Sequence, residues 1–246
     1  MSGQWSQTAG PAGALRYYVA GAARRPAAPL LLVCPELPTV EGAHGDVGLP
    51  YEAVAERVAQ ESGWQVLAAM FRGVGGSAGS FSARGWLEDA GDVMAAELAG
   101  RSGLRAAGFG FGGAVALALA AADERVRGVA CFAAPTRLAE WADDPAGLAE
   151  RCRSAGVIQA GFPEDVVAWA AELRTLEPLA SAPRLGARPL LVVQGSEDDD
   201  VPPASARALV EAAQHAELRM VLGAGHWLRA DPRAVATLIG WLERQN

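Results

Sequence analysis

Apolar residues in this chain come in short, nearly unbroken runs separated by glycine, proline and charge. Pro29 to Cys34, Trp64 to Phe71, the run from Leu104 into Gly108, Val126 to Ala133 and Pro189 to Gln194 are of this kind. Continuous runs describe strands buried on both faces, as in parallel sheets. Leu15 to Ala20 reads as an edge strand and Leu218 to Leu222 as a last strand. Between the strands the period becomes helical. Tyr51 to Glu61 carries Val54 and Val58, and Trp86 to Leu98 sets Leu87, Ala90, Val93, Met94 and Leu98 on one side. Pro202 to Ala213 reads as a further helix. Asp231 caps a final helix through Arg244, with Pro232 in its first turn. Residues 1–13 are polar and contain glycine, which reads as a loosely held lead-in. Pro35-Glu36-Leu37-Pro38 opens a long loop through Gly48.

Strands alternating with helices predict an α/β protein with a mostly parallel, doubly wound sheet of about eight strands, covered on both faces. Residues 136–188 break the rhythm with two helical stretches, Leu148 to Ser154 and Glu164 to Leu176, and with Pro163, Pro178 and Pro183. The segment is longer than a usual connection. It is expected to form a small helical cap, with Val157, Ile158 and Phe162 lining or roofing a pocket. No repeat or linker interrupts the chain, so residues 1–246 read as one domain.

Leu104 to Val115 holds four glycines within six residues, followed by an alanine-rich run. That is the layout of a strand, a tight turn and a buried helix. Gly108-Phe109-Gly110-Phe111-Gly112 resembles the Gly-x-Ser-x-Gly nucleophile elbow of the α/β-hydrolase superfamily, with Gly110 at the nucleophile position. Arg72-Gly73-Val74-Gly75-Gly76-Ser77 is similar to the Arg-Gly-x-Gly-x-Ser of many members. The likeness runs from about Leu30 to Trp241. It implies an α/β-hydrolase fold and a triad in the order nucleophile, acid, histidine. Gly-x-x-Asp-x-x-Val-Pro then selects Asp198 as the acid, with Asp199 and Asp200 as fallbacks, and Gly-x-Gly-His selects His226. The family's oxyanion loop carries His-Gly where this chain has Pro35-Glu36. The implied oxyanion donors are the amides of Leu37 and Phe111, with Glu36 bringing negative charge beside them. A glycine at the nucleophile and an acid on the oxyanion loop both argue against acyl-transfer chemistry.

The same glycines also spell Gly-x-Gly-x-x-Gly across Gly108, Gly110 and Gly113. A dinucleotide site needs a carboxylate after the next strand, whereas Cys131-Phe132-Ala133-Ala134-Pro135 has none. Cys34 and Cys131 fall near strand ends and would be alternative nucleophiles only beside His226. Ser77 reads as a turn residue.

Composition narrows the classes further. The net charge of −7 argues against a nucleic-acid surface. No apolar run approaches the ~20 residues that span a bilayer, so no membrane partner is expected. Three scattered cysteines read as reduced thiols of a cytoplasmic protein, and no metal-ligand spacing or cofactor motif stands out. All 21 basic residues are arginine, a composition suggestive of a GC-rich bacterial genome. A small-molecule ligand or substrate is the expected partner, and a homodimer remains open. Three functions follow. The chain binds a small, partly apolar ligand under the cap. Alternatively, His226 and Asp198 form a general base, with Glu36 as an acid, for lyase, isomerase or cyclase chemistry. Or it hydrolyses esters or thioesters through His-activated water or another nucleophile.

Overall fold

The computed structural model describes residues 3–21, 28–39 and 49–245. Three central strands, β3 (Leu30–Cys34), β4 (Gln65–Met70) and β5 (Leu104–Phe109), are buried almost throughout. Successive side chains of a strand point to opposite faces. Leu30, Leu32 and Cys34 therefore enter one core, while Leu31 and Val33 enter the other. Two cores need helices on both sides of the sheet. α1 (Tyr51–Ser62) and the C-terminal α9 (Pro232–Glu243) cover one face; α2 (Ala83–Glu97) and α3 (Phe111–Ala122) cover the other.

The sheet has eight strands in the order β1-β2-β4-β3-β5-β6-β7-β8, with β6 at Val126–Phe132, β7 at Leu190–Gly195 and β8 at Ala216–Val221. All neighbours from β4 onward are parallel; β1 and β2 run antiparallel. The expected mostly parallel sheet of the α/β-hydrolase fold is present.

The N-terminus departs from the sequence reading. Gln4–Gly10 is a strand, β1, joined by a tight turn to β2 (Gly13–Ala20). β1 is the edge, and β2, expected there, lies inside it. Leu15 and Tyr17 of β2 are buried, whereas β1 alternates between exposed and half-exposed positions. A strand so exposed gives no apolar signal. It is held by its ladder and by Trp5, which packs edge-on against Tyr18 and lies beneath the Arg16 guanidinium.

Between β6 and β7 the structure has α4 (Leu138–Trp141), α5 (Pro145–Ser154), α6 (Val166–Ala171) and α7 (Pro178–Ser181). Asp144 caps α5 through the Gly147 N–H, so that helix starts earlier than its apolar period suggested. The long helix expected to Leu176 is shorter, passing into a 3-10 turn over Glu172–Thr175. Ser82 likewise caps α2 ahead of Trp86. α8 (Pro203–Ala212) lies between β7 and β8. The expected loop after Pro38 lies partly outside the described residues, over 40–48.

The Arg72 turn is tied to α2 by a buried ion pair. Asp89, fully buried, accepts from the Arg72 backbone N–H at 2.7 Å and from its Nη2 at 2.6 Å, while Trp86 Nε1 donates to the Arg72 carbonyl at 3.0 Å.

Candidate functional site

The C-terminal ends of the parallel strands meet at the β5–α3 turn. Gly110 has φ 49° and ψ −123°, a backbone region that side-chain-bearing residues rarely enter. Its N–H donates to the Phe132 carbonyl at 2.8 Å, locking the turn to β6. A Cβ on Gly108 would lie 2.1 Å from the Gly112 carbonyl oxygen, so glycine there lets helix and strand backbones touch. The glycines of the motif thus build the sharp elbow even without its hydroxyl.

His226, in the loop after β8, points at this turn. Its Nδ1 lies 3.0 Å from Asp198 Oδ2, and its Nε2 lies 2.8 Å from Glu36 Oε1. Asp198 also accepts from the backbone N–H of Asp200 and Val201 and from Gln194 Nε2, at 3.0, 2.8 and 2.7 Å. This net of donors distinguishes Asp198 from its neighbours Asp199 and Asp200. Glu36 extends from the end of β3 across the turn. A Cβ placed on Gly110 would sit 2.5 Å from Glu36 Oε1. The Glu36 carboxylate therefore fills the space of a serine side chain and takes the imidazole hydrogen bond that a serine hydroxyl would make.

The ring between two carboxylates is electrostatically unusual. Burial opposes its positive charge, but hydrogen bonds to Asp198 and Glu36, with the charges of both, outweigh burial and raise the His226 pKa to about 10. Burial of Asp198 is likewise outweighed, chiefly by the His226 hydrogen bond and the Val201 N–H, and its carboxyl falls below its ordinary value. At neutral pH His226 is an imidazolium with both N–H groups committed. Its folded pKa lies above the unfolded value of 6.5, so its contribution to stability is complete below 6.5 and is lost as pH rises through about 10. The urea midpoint should fall over that interval in the native protein, and His226→Gln should flatten the fall. Nitrogen-15 NMR of the imidazole should show no titration from pH 5 to 8, whereas in Glu36→Gln the ring should titrate at lower pH.

A cavity of about 400 Å³ opens above Gly110 and His226. Glu36, Leu37, Phe111, Trp141, Leu148 and Cys152 contribute to its walls, with Arg151 and Asp200 also lining it. Phe111 and Trp141 stack with ring centres 6.0 Å apart and planes inclined by 24°, forming a flat apolar surface. The segment between β6 and β7 thus supplies part of the pocket wall through Trp141, Leu148 and Cys152. Val157 and Ile158, expected at the pocket, pack in the main core instead, and Phe162 packs against that core.

The remaining sequence candidates divide clearly. The Glu36 N–H donates to Tyr51 Oη at 2.7 Å, which commits that amide elsewhere. Phe111 is the first residue of α3, where an amide has no intrahelical acceptor. Leu37 and Phe111 both line the cavity. Cys34 and Cys131 are fully buried, burial pushes both thiols well up, and Cys131 Sγ faces the Gly113 carbonyl at 3.6 Å. Neither thiol is placed at the His226 ring, whose two nitrogens face Asp198 and Glu36. Ser77 Oγ donates to the Met70 carbonyl at 2.5 Å and accepts from Arg16 N–H at 2.8 Å, a turn-holding role. For a nucleotide, the N-terminus of α3 is already faced by the Glu36 carboxylate, which would repel a phosphate.

Asp198, Asp200 and His226 offer ligand atoms within 4.8 Å of one another. Asp198 already accepts three N–H bonds besides its contact with His226, so the acceptor capacity a cation would use is occupied. Tyr51, Cys152 and Arg151 were not legible as site residues. Cys152 lies on an ordinary amphipathic helix, and burial pushes its thiol up to about 11. Among the described residues, no helix is long and apolar enough to cross a membrane.

Comparison with known proteins agrees with this fold. The family model described as the prolyl oligopeptidase family matches residues 87–246. An alpha/beta hydrolase, GrgF, from Penicillium sp. sh18 superposes with a TM-score of 0.75 at 21% identity, covering 99% of each chain. A hydrolase from Pseudomonas aeruginosa PA01 gives 0.70 at 20% identity, covering 98% of this chain and 99% of its own. A thermophilic esterase from Thermogutta terrifontis gives 0.68 at 20%, covering 98% of each. At such identities these likenesses carry the fold. No curated protein matches the chain in sequence.

Proposed function

From a chain that belongs to the prolyl oligopeptidase family of α/β-hydrolases but carries glycine at the elbow, we propose an acid–base enzyme that forms no acyl-enzyme. Glu36 is its base, His226 its acid and Asp198 the group that orients His226. The substrate is a small, partly apolar carbonyl compound lying against Phe111 and Trp141. The observation that carries this reading is the Glu36 carboxylate in the serine's place, 2.8 Å from His226 Nε2. The assignment reverses the roles expected from sequence, because a histidine raised to about 10 cannot accept a proton at neutral pH.

The chemistry follows from what these groups can exchange. The carbonyl oxygen of the substrate accepts from the Leu37 and Phe111 amides. Glu36 removes a proton from the adjacent carbon, and the C–H electron pair moves into an enolate whose oxygen those amides stabilise. Proton return at another carbon gives an isomer. Loss of a β-substituent, protonated from His226 Nε2, gives an eliminated product. A second, hydrolytic reading has Glu36 deprotonate a water for direct attack on the same carbonyl; the hydrolase and the esterase among the similar structures support it. Residues 136–188 serve as the cap in either case.

Two assays separate the readings. Aryl ketones in deuterium oxide, followed by NMR, should exchange their α-hydrogens in the presence of the native protein and not with Glu36→Gln. Turnover of a short-chain aryl ester without such exchange, and lost in Glu36→Gln, would select water attack. Ester turnover indifferent to Glu36 would overturn the assignment of Glu36 as base. A fixed affinity for ketones without any turnover would leave a binding protein.

Serine restoration gives a third prediction. Gly110→Ser should yield no esterase, because the new Cβ collides with Glu36 and the turn costs about 1–3 kcal/mol for a side-chain-bearing residue. Gly110→Ser with Glu36→Gly removes the collision and returns His226 toward a neutral base. Its turnover of 4-nitrophenyl acetate should exceed that of the single variant by about tenfold or more.

A further inference from the structure

A second cavity, of about 420 Å³, lies at the opposite ends of β3 and β5, about 17 Å from the Gly110 turn at 3.3 Å per strand residue. Arg101, Arg105 and Arg127 all line it, with Trp64, Ser102 and Gly103 between them, and among the described residues no carboxylate does. That is an odd place to gather cations in a chain whose net charge is −7. Elsewhere, among the described residues, arginines such as Arg72, Arg125 and Arg233 pair with nearby acids.

Here the printed partners of Arg105 and Arg127 are neutral groups. Arg105 Nη2 donates to the Gln245 carbonyl at 3.1 Å and to its side-chain Oε1 at 3.3 Å. Arg127 Nη2 donates to the Ser102 carbonyl at 3.3 Å, and Arg101 donates to the Ala28 carbonyl and the Gln65 side chain. Two buried donors of its lining residues have no hydrogen-bond partner. They are Arg105 Nε and the indole Nε1 of Trp64, a residue only 1% exposed. The Arg105 guanidinium lies 5.3 Å over the Trp64 ring, so cation and indole form one wall. Burial without an opposing charge lowers the Arg105 pKa from its usual value. Buried charges in proteins are ordinarily paired, and orphaned buried donors are costly.

We propose that this cavity is a binding site for a phosphate-class oxyanion, recognised by Arg101, Arg105 and Arg127 and separate from the Glu36–His226 site. Guanidinium forks match the oxygens of such an anion, and several can share one. The cavity exceeds a bare phosphate ion in size, which fits the phosphate monoester of a small metabolite.

Isothermal titration calorimetry of the full chain with inorganic phosphate and with ribose 5-phosphate tests this, in a low-chloride buffer. Saturable binding of one anion per chain is expected, weakening as chloride is added. Arg127→Gln, at an exposed position, and Arg105→Gln should each reduce affinity, and together by about tenfold or more. His226→Gln should bind both anions as the native protein does, which separates this site from the other. Tighter binding of ribose 5-phosphate assigns an organic phosphate, and equal binding assigns the free ion. Absence of binding at millimolar anion overturns the proposal, as does binding unchanged in the Arg105→Gln, Arg127→Gln double variant. Should Arg105→Gln fail to fold, Arg127→Glu alone provides the same decision by reversing the charge at the cavity.

Discussion

Glu36→Gln should abolish turnover while leaving the fold intact. The amide is nearly isosteric and still reaches His226, but it cannot take a proton. Loss of a positioned general base lowers rates by about 10²- to 10⁴-fold. The effect should fall on kcat, because the Phe111 and Trp141 wall that holds the substrate is untouched. His226 should meanwhile lose one of the two charges that hold it protonated, so its pKa should drop from about 10 toward the ordinary value. The rate and the NMR titration must move together. A lost rate with an unchanged His226 titration would mean that Glu36 does not face the imidazole in solution. An unchanged rate would remove Glu36 from the chemistry.

The largest loss of stability is expected from Asp89→Ala. Asp89 is wholly buried and holds both the backbone N–H and the guanidinium of Arg72. Alanine leaves the Arg72 backbone N–H without an acceptor and the guanidinium with only the exposed Glu88, beside an empty carboxylate space. Removing one member of a buried ion pair costs about 3–5 kcal/mol. For a domain of this size that lowers the thermal midpoint by about 10 °C. Asp123→Ala breaks a surface pair with Arg125, whose side chain is 54% exposed, and should cost under about 1 kcal/mol. Urea titrations of the two variants against the native protein measure the contrast. Similar losses in both would mean that the Arg72 turn is not anchored through α2. The cost reaches the site, because that turn follows β4 directly and α2 packs against α3, which carries Phe111.

Much of the fold was readable where burial is complete. β3, β4, β5 and β7 announce themselves because a strand covered on both faces is apolar at nearly every position. The glycine spacing at 108, 110 and 112 located the elbow, because two backbones in contact exclude any Cβ. β1 gives no apolar signal because its ladder, Trp5 and a Ser6 hydrogen bond to Tyr17 hold it rather than burial. The helix expected to Leu176 was drawn too long, as periodicity does not register a shift to 3-10 geometry after Ala171.

The site divides in the same way. The sequence alone determined that Gly110 offers no nucleophile and that Asp198 and His226 follow it in the order of a triad. Those are statements about residue type and local motif, which neighbouring residues encode. What stands against His226 was decided by tertiary structure. Glu36 and His226 leave the ends of β3 and β8, strands set apart in the sheet, and converge only because the loops at one end of a parallel sheet fold over the same turn. The charge of His226 likewise depends on two carboxylates from distant parts of the chain and on burial, none of which a motif carries. The arginine cavity at the other end of β3 and β5 is of the same kind. Arg101, Arg105 and Arg127 look like ordinary surface residues in sequence, and only the strand register brings them to one space.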